Sequence, residues 1–240
     1  EEGASAFVAG LGVPAPIMAK LKGAGLKVMA VCGSVKHGLK AQQAGCDAVN
    51  AQGTEGGGHT GKIAGMALIP QMVDALDIPV VAAGSIVDGR GLAAALAFGA
   101  VGVWMGTRFI ASVEANAAQG YKEAILAARD EDTLITRCFT GKTLRAIRND
   151  YTTEWEGRTA EIQPFPMQAM ISAQAGANLT LMGVTEGIDA KRACLAAGQG
   201  SGAIREILPA GEILRRTIAE AEAVITARLP ACVVRRAAAE

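Results

Sequence analysis

The sequence is poor in aromatic residues and has no excess of charge of either sign. Phe, Trp and Tyr together make up 4% of the 240 residues, so the core must be built from Ala, Val, Ile, Leu and Met. Lys and Arg number 23, as do Asp and Glu. This neutral balance gives no electrostatic reason to expect a nucleic-acid partner or an anionic membrane surface. Half of the residues are hydrophobic and only 19% are charged, which excludes a disordered chain.

Long apolar runs, paired cysteines and metal-ligand spacings are also missing. The best membrane-span candidate, between Arg90 and Arg108, is interrupted by glycines and is shorter than the roughly 20 residues that a bilayer requires. The five cysteines are scattered without a CxxC pair, which is typical of reduced thiols in a cytosolic protein. No signal peptide is visible at the start of the sequence. We therefore expect a cytoplasmic protein with no membrane partner. With only His37 and His59 present, and 22 positions apart, we predict no metal site.

The first half of the chain alternates short apolar runs with helical segments. The runs lie at 6–10, 26–31, 46–51, 78–83 and 100–105, and the helical segments between them lie at about 17–24, 35–44, 68–76 and 91–98. This rhythm predicts βα units and a sheet of five parallel strands. A length of 240 residues suits one α/β barrel or two small domains. We assign residues 1–111 to the barrel portion.

The character of the chain changes after Arg108. Residues 112–184 contain a helical segment at 114–129 but no strand alternation, which predicts a smaller, mostly helical, lid-like second domain. Its Met167, Met170 and Met182 either face a broad apolar substrate or fill the core of that domain. Residues 185–240 are predicted to pack back on the barrel as helices. An amphipathic helix is expected over 212–228, with Ile213, Leu214, Ile218, Ala221 and Ile225 on one face and a frayed tail beyond it.

The strongest chemical signal is the glycine-rich stretch 52–61, which follows the third apolar run directly. Barrel enzymes place catalytic groups at the ends of strands, and consecutive glycines let a ligand approach the backbone closely. His59 follows Gly58 on a polar loop, so it is a candidate general base. We interpret His37, early in a helix, as an ordinary structural or solvated histidine. Cys32 is more typical of a small buried hydrophobe than of a nucleophile.

A second signal is a pair of loops that follow the fourth and fifth runs, at 82–86 and 105–108. In barrels, loops after the last strands commonly bind phosphate through backbone N–H groups. Gly84 and Gly106 permit close approach, while Ser85 and Thr107 could add hydroxyl donors. The alternative is two ordinary turns between a strand and a helix.

Taken together, these motifs resemble a family of flavoenzymes. The matching stretches are Glu-Gly-Gly-Gly-His-Thr-Gly at 55–61, Val-Ala-Ala-Gly-Ser-Ile at 81–86, Met-Gly-Thr-Arg-Phe at 105–109, Arg-Ala-Ile-Arg-Asn at 145–149 and Ala-Gly-Gln at 197–199. In this order they resemble the nitronate monooxygenase (2-nitropropane dioxygenase-like) family of FMN-dependent TIM barrels. The flavin-dependent enoyl-acyl carrier protein reductases and a group of NADH:quinone reductases are similar. The resemblance covers about residues 5–225.

The resemblance implies roles for individual residues. His59 matches the histidine that acts as base or lies near the flavin. The match places Gln52, Gly57 and Gly58 at the isoalloxazine ring and Gln199 near the flavin, and it assigns the FMN phosphate to Gly84, Ser85, Gly106 and Thr107. The sequence also departs from the family. Ser85 replaces the usual second glycine of its motif, and Val31 stands where some members have a lysine.

The resemblance further implies a (β/α)8 barrel of which the first three βα units precede this sequence, since only five strands are counted. The expected activity is FMN-dependent oxidation of alkyl nitronates with O2. An NAD(P)H-dependent reductase of enoyl thioesters or quinones stays open, with NAD(P)H as co-substrate. So do a non-catalytic remnant and a barrel that binds a phosphorylated metabolite without flavin. Substrate and oligomeric state, including a homodimer, also stay open.

Overall fold

The computed structural model describes residues 3–10, 12 and 15–233. In this part of the chain the strands are β1 (Ala6–Ala9), β2 (Lys27–Cys32), β3 (Ala48–Gln52), β4 (Gly58–His59), β5 (Val80–Ala83), β6 (Gly102–Trp104), β7 (Thr133–Thr136) and β8 (Leu144–Ile147). Five of them form one sheet in the order β1-β2-β3-β5-β6, and every pairing in it is parallel. The predicted α/β class and the five parallel strands are confirmed.

Helices connect consecutive strands of this sheet. They are α1 (Met18–Gly23), α2 (Val35–Gln43), α3 (Gly65–Ala75) and α4 (Gly89–Ala97). Alternate residues of β2, namely Val28, Ala30 and Cys32, are buried in the hydrophobic core. Val49 and Ala51 of β3 are buried in the same cluster. Leu68, Ile69 and Met72 of α3 belong to the same buried cluster. The core is thus aliphatic, as the scarcity of aromatic residues predicts.

A second sheet has three antiparallel strands in the order β4-β8-β7. It corrects the prediction that residues 112–184 lack strands. All four residues of β8 are buried, including Arg145, so this strand shows no alternation of apolar and polar residues. The helix α5 (Thr107–Ile110) precedes this region, and α6 (Gln119–Ala127), α7 (Asp150–Glu156) and α8 (Met167–Gln174) lie within it.

Two smaller buried clusters lie beside the main core. One joins α6 to residues 193–204, and the other surrounds Phe139, Tyr151 and Trp155. The rings of Phe139 and Tyr151 are stacked with their centroids 5.2 Å apart. The first cluster combines residues from all three predicted segments of the chain, and the boundaries at 111 and 184 stay a prediction.

The last long helix, α9 (Ala210–Ala223), packs on α4 and continues as a π-helical turn (Val224–Arg228) and α10 (Leu229–Ala231). Ile213 and Ala221 are buried as predicted, but the prediction is wrong for the other three residues of the apolar face. The side chains of Leu214, Ile218 and Ile225 are exposed because the apolar stripe is wider than its contact with α4. The predicted frayed tail is helical as far as Ala231, and residues 234–240 lie outside the described residues. Within the described residues, no helix is both long and apolar enough to cross a membrane.

Candidate functional site

Two cavities meet at the carboxyl ends of the parallel strands. The smaller, of about 190 Å³, is lined by the glycine-rich loop after β3 and by the loops after β5 and β6. The larger, of about 660 Å³, is lined by the ends of β2 and β3, by α2 and by His59. Gln52, the last residue of β3, lines both cavities. The two cavities are therefore adjacent at Gln52, and they are called the narrow end and the wide end of the site.

Every residue predicted to bind phosphate lines the narrow end, namely Gly84, Ser85, Gly106 and Thr107. Gly84 has a φ of +108°, a backbone conformation that side chains rarely adopt. A Cβ added at Gly106 would meet no described atom within 4 Å, so the space above this residue is open. These two glycines leave room for a ligand group against the strand ends.

The predicted role of the Ser85 hydroxyl is wrong. Its Oγ donates to the carbonyl oxygen of Glu55 at 2.7 Å and accepts from the amide of Gly200 at 2.9 Å. The hydroxyl proton is thus committed to the protein and does not face a ligand. The Thr107 hydroxyl accepts from the amide of Gly198 at 3.1 Å, which leaves its proton for another acceptor. The hydrogen-bond donors left for a ligand at the narrow end are therefore backbone amides and the Thr107 hydroxyl.

Hydrogen bonds hold the glycine-rich loop rigidly. The carboxylate of Glu55 accepts from the amide of Gly65, at the N-terminus of α3, at 3.0 and 3.1 Å. The Gln52 amide nitrogen donates to the carbonyl oxygen of His59 at 2.8 Å, and the Thr54 hydroxyl donates to that of Gly61 at 2.9 Å. The loop therefore presents Gly57 and Gly58 to the narrow cavity without needing a ligand to order it.

His59 connects the two sheets. It follows the loop that begins after β3 of the parallel sheet, and its backbone pairs with Leu144 of β8 in the antiparallel sheet. Burial, and then the positive charge of Lys142, lower the pKa of His59 below its ordinary value. The imidazole is consequently neutral at neutral pH, which is the form that accepts a proton. Its Nε2 atom lies 3.0 Å from the hydroxyl oxygen of Thr140.

His37 and Cys32 both line the wide cavity. His37 is exposed there beside Lys40, which agrees with the interpretation of an ordinary solvated histidine. At Cys32, burial, followed by the charge of the neighbouring Cys46, raises the pKa of the thiol to about 11. A thiol with that pKa is protonated at neutral pH, so Cys32 is no activated nucleophile. Val31 also faces this cavity.

Some predicted residues lie elsewhere. Gln199 is exposed and lines neither cavity, although its neighbour Gly200 lines the narrow one. Met167, Met170 and Met182 are 53%, 55% and 66% exposed, so they neither line the two cavities nor fill a core. Sequence reasoning missed Trp104 and Ile110, which line the narrow cavity. Their positions beside Gly106 are the only signal that could have found them.

The two cavities differ in what they could hold: the narrow one suits a phosphate group, and the wide one suits a larger, partly apolar group. A phosphate needs several donors and close backbone approach, which Gly84, Gly106 and Thr107 supply. The wide cavity falls in the size range of small-molecule sites and combines apolar walls with few polar groups. Among the described residues, no group of three or more His, Cys, Asp or Glu side chains could hold a metal ion.

A parallel sheet with a phosphate-sized recess and a half-buried histidine at its strand ends is typical of a barrel-type α/β protein with a site for a phosphate-bearing ligand. The chain belongs to the nitronate monooxygenase family, whose model matches residues 1–220.

Individual relatives agree with this assignment. A probable nitronate monooxygenase of Staphylococcus saprophyticus is 40% identical over 184 residues, which are 72% of this chain and 52% of that protein. One from Staphylococcus aureus is 37% identical over 182 residues, or 70% of this chain and 51% of that protein. The chain therefore spans about half the length of these curated relatives.

Solved structures show the same likeness. FabK from Thermotoga maritima superposes with a TM-score of 0.84 at 36% identity, covering 94% of this chain and 70% of its own. Nitroalkane oxidase from Streptomyces ansochromogenes superposes with a TM-score of 0.79 at 33% identity, and the match covers 92% of this chain and 65% of the oxidase chain. The family resemblance and the TIM-barrel type of fold expected from the sequence are thus confirmed.

Proposed function

We propose that the chain carries the cofactor and proton-transfer site of an FMN-dependent oxidoreductase that oxidises alkyl nitronates with O2. The observation that carries the proposal is the junction of the two cavities at Gln52, with backbone donors at one end and His59 at the other. Family membership and the likeness to nitroalkane oxidase support this choice of substrate.

The residues of the narrow end bind and orient the cofactor. Gly84 and Gly106 admit the phosphate, the Thr107 hydroxyl retains a proton for it, and Gly57 and Gly58 line the path towards the ring. When bound, FMN supplies the redox chemistry, while the protein fixes its position and surroundings.

His59 supplies the proton chemistry at the wide end. Its neutral imidazole can accept the α-proton of a substrate that enters as the neutral nitro compound, which leaves the negatively charged nitronate for oxidation and a protonated His59. Ala30, Val31 and Ala44 give the cavity apolar walls. Lys40, which also lines the cavity, suits a substrate that carries negative charge, as a nitronate does.

His59→Asn tests this assignment directly. The variant should retain FMN, because the residues that line the narrow cavity are unchanged, but should lose roughly 10²- to 10⁴-fold in turnover of a neutral nitroalkane, which must first lose its proton. Flavin absorbance measures loading, and O2 consumption with that nitroalkane measures turnover. His37→Asn is the matched control, since it changes the other cavity histidine. Normal turnover in His59→Asn would refute the role of His59, and reduction of the flavin by NADPH or NADH alone would favour a reductase.

The pH dependence gives a second check. Because the pKa of His59 lies below 6.5, the basic neutral form persists into mildly acidic solution. The value of kcat/KM should therefore decrease about tenfold per pH unit below the lowered pKa, with a midpoint below the ordinary value for histidine. A midpoint above that ordinary value would show that another group titrates.

A further inference from the structure

The loop between β7 and β8 brings a threonine against His59 from a distant part of the chain. Thr140 is buried, with 4% of its surface exposed, and its Oγ1 atom lies 3.0 Å from Nε2 of His59. The two residues are 81 positions apart. The same hydroxyl oxygen also contacts the backbone of Lys142, accepting from its amide at 3.2 Å and donating to its carbonyl oxygen at 3.2 Å.

A count of protons assigns the direction of the bond to His59. A threonine hydroxyl has one proton and two lone pairs. The Lys142 amide occupies one lone pair, and the Lys142 carbonyl oxygen is only an acceptor, so it takes the proton. The remaining lone pair can only accept, which requires a proton on Nε2 of His59. The opposite direction would deprive the Lys142 carbonyl oxygen of this bond.

We propose that Thr140 is a positioning residue that fixes the ring orientation and tautomer of His59, so that Nε2 carries the proton and Nδ1 is the basic nitrogen. The proposal rests on the proposed role of His59 as the base. Gln52 holds the His59 carbonyl oxygen at 2.8 Å, so the backbone and the ring are each fixed by a separate partner. Among the described residues, no hydrogen bond is made to Nδ1, which leaves its lone pair for the substrate.

Charged and titratable groups surround this pair from several elements. Lys142 lies in the same loop as Thr140, Lys40 and His37 lie on α2 across the wide cavity, and the Cys32 thiol ends β2. None of them is within hydrogen-bonding distance of the His59 ring in the described part of the chain. The tautomer therefore depends on Thr140 and not on an ion pair.

Nitrogen NMR of the imidazole rings tests the proposal, since the chain has only two histidines. In the ¹⁵N-labelled holoprotein, with His37→Gln used to assign the signals, His59 should show a protonated Nε2 and an unprotonated Nδ1. Thr140→Val, of similar shape but without the hydroxyl, should give mixed tautomers. Thr140→Ser should restore the single one. Values of kcat/KM should fall roughly 10- to 100-fold in Thr140→Val, as for other partners that orient a reactive histidine, and recover in Thr140→Ser.

Two results would overturn the proposal. One is a wild-type spectrum with the proton on Nδ1, which needs no variant and is unaffected if Thr140→Val fails to fold. The other is a Thr140→Val protein that keeps both the wild-type tautomer and the wild-type kcat/KM. Because the spectrum is recorded without turnover, it separates this proposal from the proposed function. Normal turnover of His59→Asn would refute the proposed base, whereas the tautomer and its dependence on Thr140 would still be read from the spectrum.

Discussion

Ser85 occupies a backbone conformation that favours glycine, with a φ of +53°. Such a conformation costs a non-glycine residue roughly 1–2 kcal/mol. The hydroxyl offsets this cost with two hydrogen bonds, to the Glu55 carbonyl oxygen and from the Gly200 amide, each contributing about 0.5–1.5 kcal/mol. The serine thus ties together three segments at the narrow cavity, and this explains how it can replace the glycine that is usual in the family it resembles.

Gly106 permits a clean test of the phosphate site. Gly106→Val should fold normally, because an added Cβ meets no described atom, yet it should abolish FMN binding by filling the space against the strand end. Gly84→Val is a poorer test, since its φ of +108° strains any side chain. Gly157→Val is the control, at an exposed glycine that also has open space. Flavin fluorescence titration with thermal melting measures both properties, and equal FMN affinity in the two variants would contradict the assignment.

Arg145 joins the small antiparallel sheet to the glycine-rich loop. Its Nε donates to the carbonyl oxygen of Thr54 and its Nη1 to the hydroxyl of Thr133, both at 3.1 Å. Arg145→Met should therefore lower the free energy of unfolding by about 1–3 kcal/mol for each buried acceptor left without a donor. Arg148→Met removes only a surface ion pair with Glu156 and should cost about 0–1 kcal/mol. Urea denaturation compares them, and equal losses would mean that Arg145 does not join the two units.

Local signals explain which elements were predictable. The parallel strands and the glycines at their ends are marked by short apolar runs followed by turn residues, so β3, β5 and β6 were found with their loops. Strand β8 was not, because burial on both faces removes the alternation that marks a strand. Thr140 was missed for another reason. Its contact with His59 depends on a pairing between distant segments, and no pattern within a short window records it.

The parallel sheet has two edges, β1 and β6, that no described strand pairs. Trp104 of β6 is 46% exposed, and on α9 Leu214 and Ile218 are 55% and 53% exposed. Open edges and apolar faces favour association. The 240-residue polypeptide expressed alone should therefore self-associate at micromolar concentration, as measured by size-exclusion chromatography with light scattering.

A pair of variants tests the contribution of α9 to this association. Leu214→Lys combined with Ile218→Lys should shift the polypeptide towards the monomer, because two charges cannot be desolvated in an apolar contact without cost. Met66→Lys, at a residue of α3 that is 77% exposed, is the control and should leave the association unchanged. A monomeric parent polypeptide, or an equal effect of both changes, would show that this face has no part in it.

The pairing of His59 with β8 has a consequence for how the protein acquires its activity. The glycine-rich loop follows β3 directly, but the His59 ring takes its place only when the loop around Thr140 arrives. The narrow cavity needs Ala196 and Gly200 from still later in the chain. Contacts of such long sequence separation require loop closure first and form late. A newly made chain would thus complete its cofactor recess and align its base only at the end of folding, and proton transfer becomes a reporter that assembly is complete.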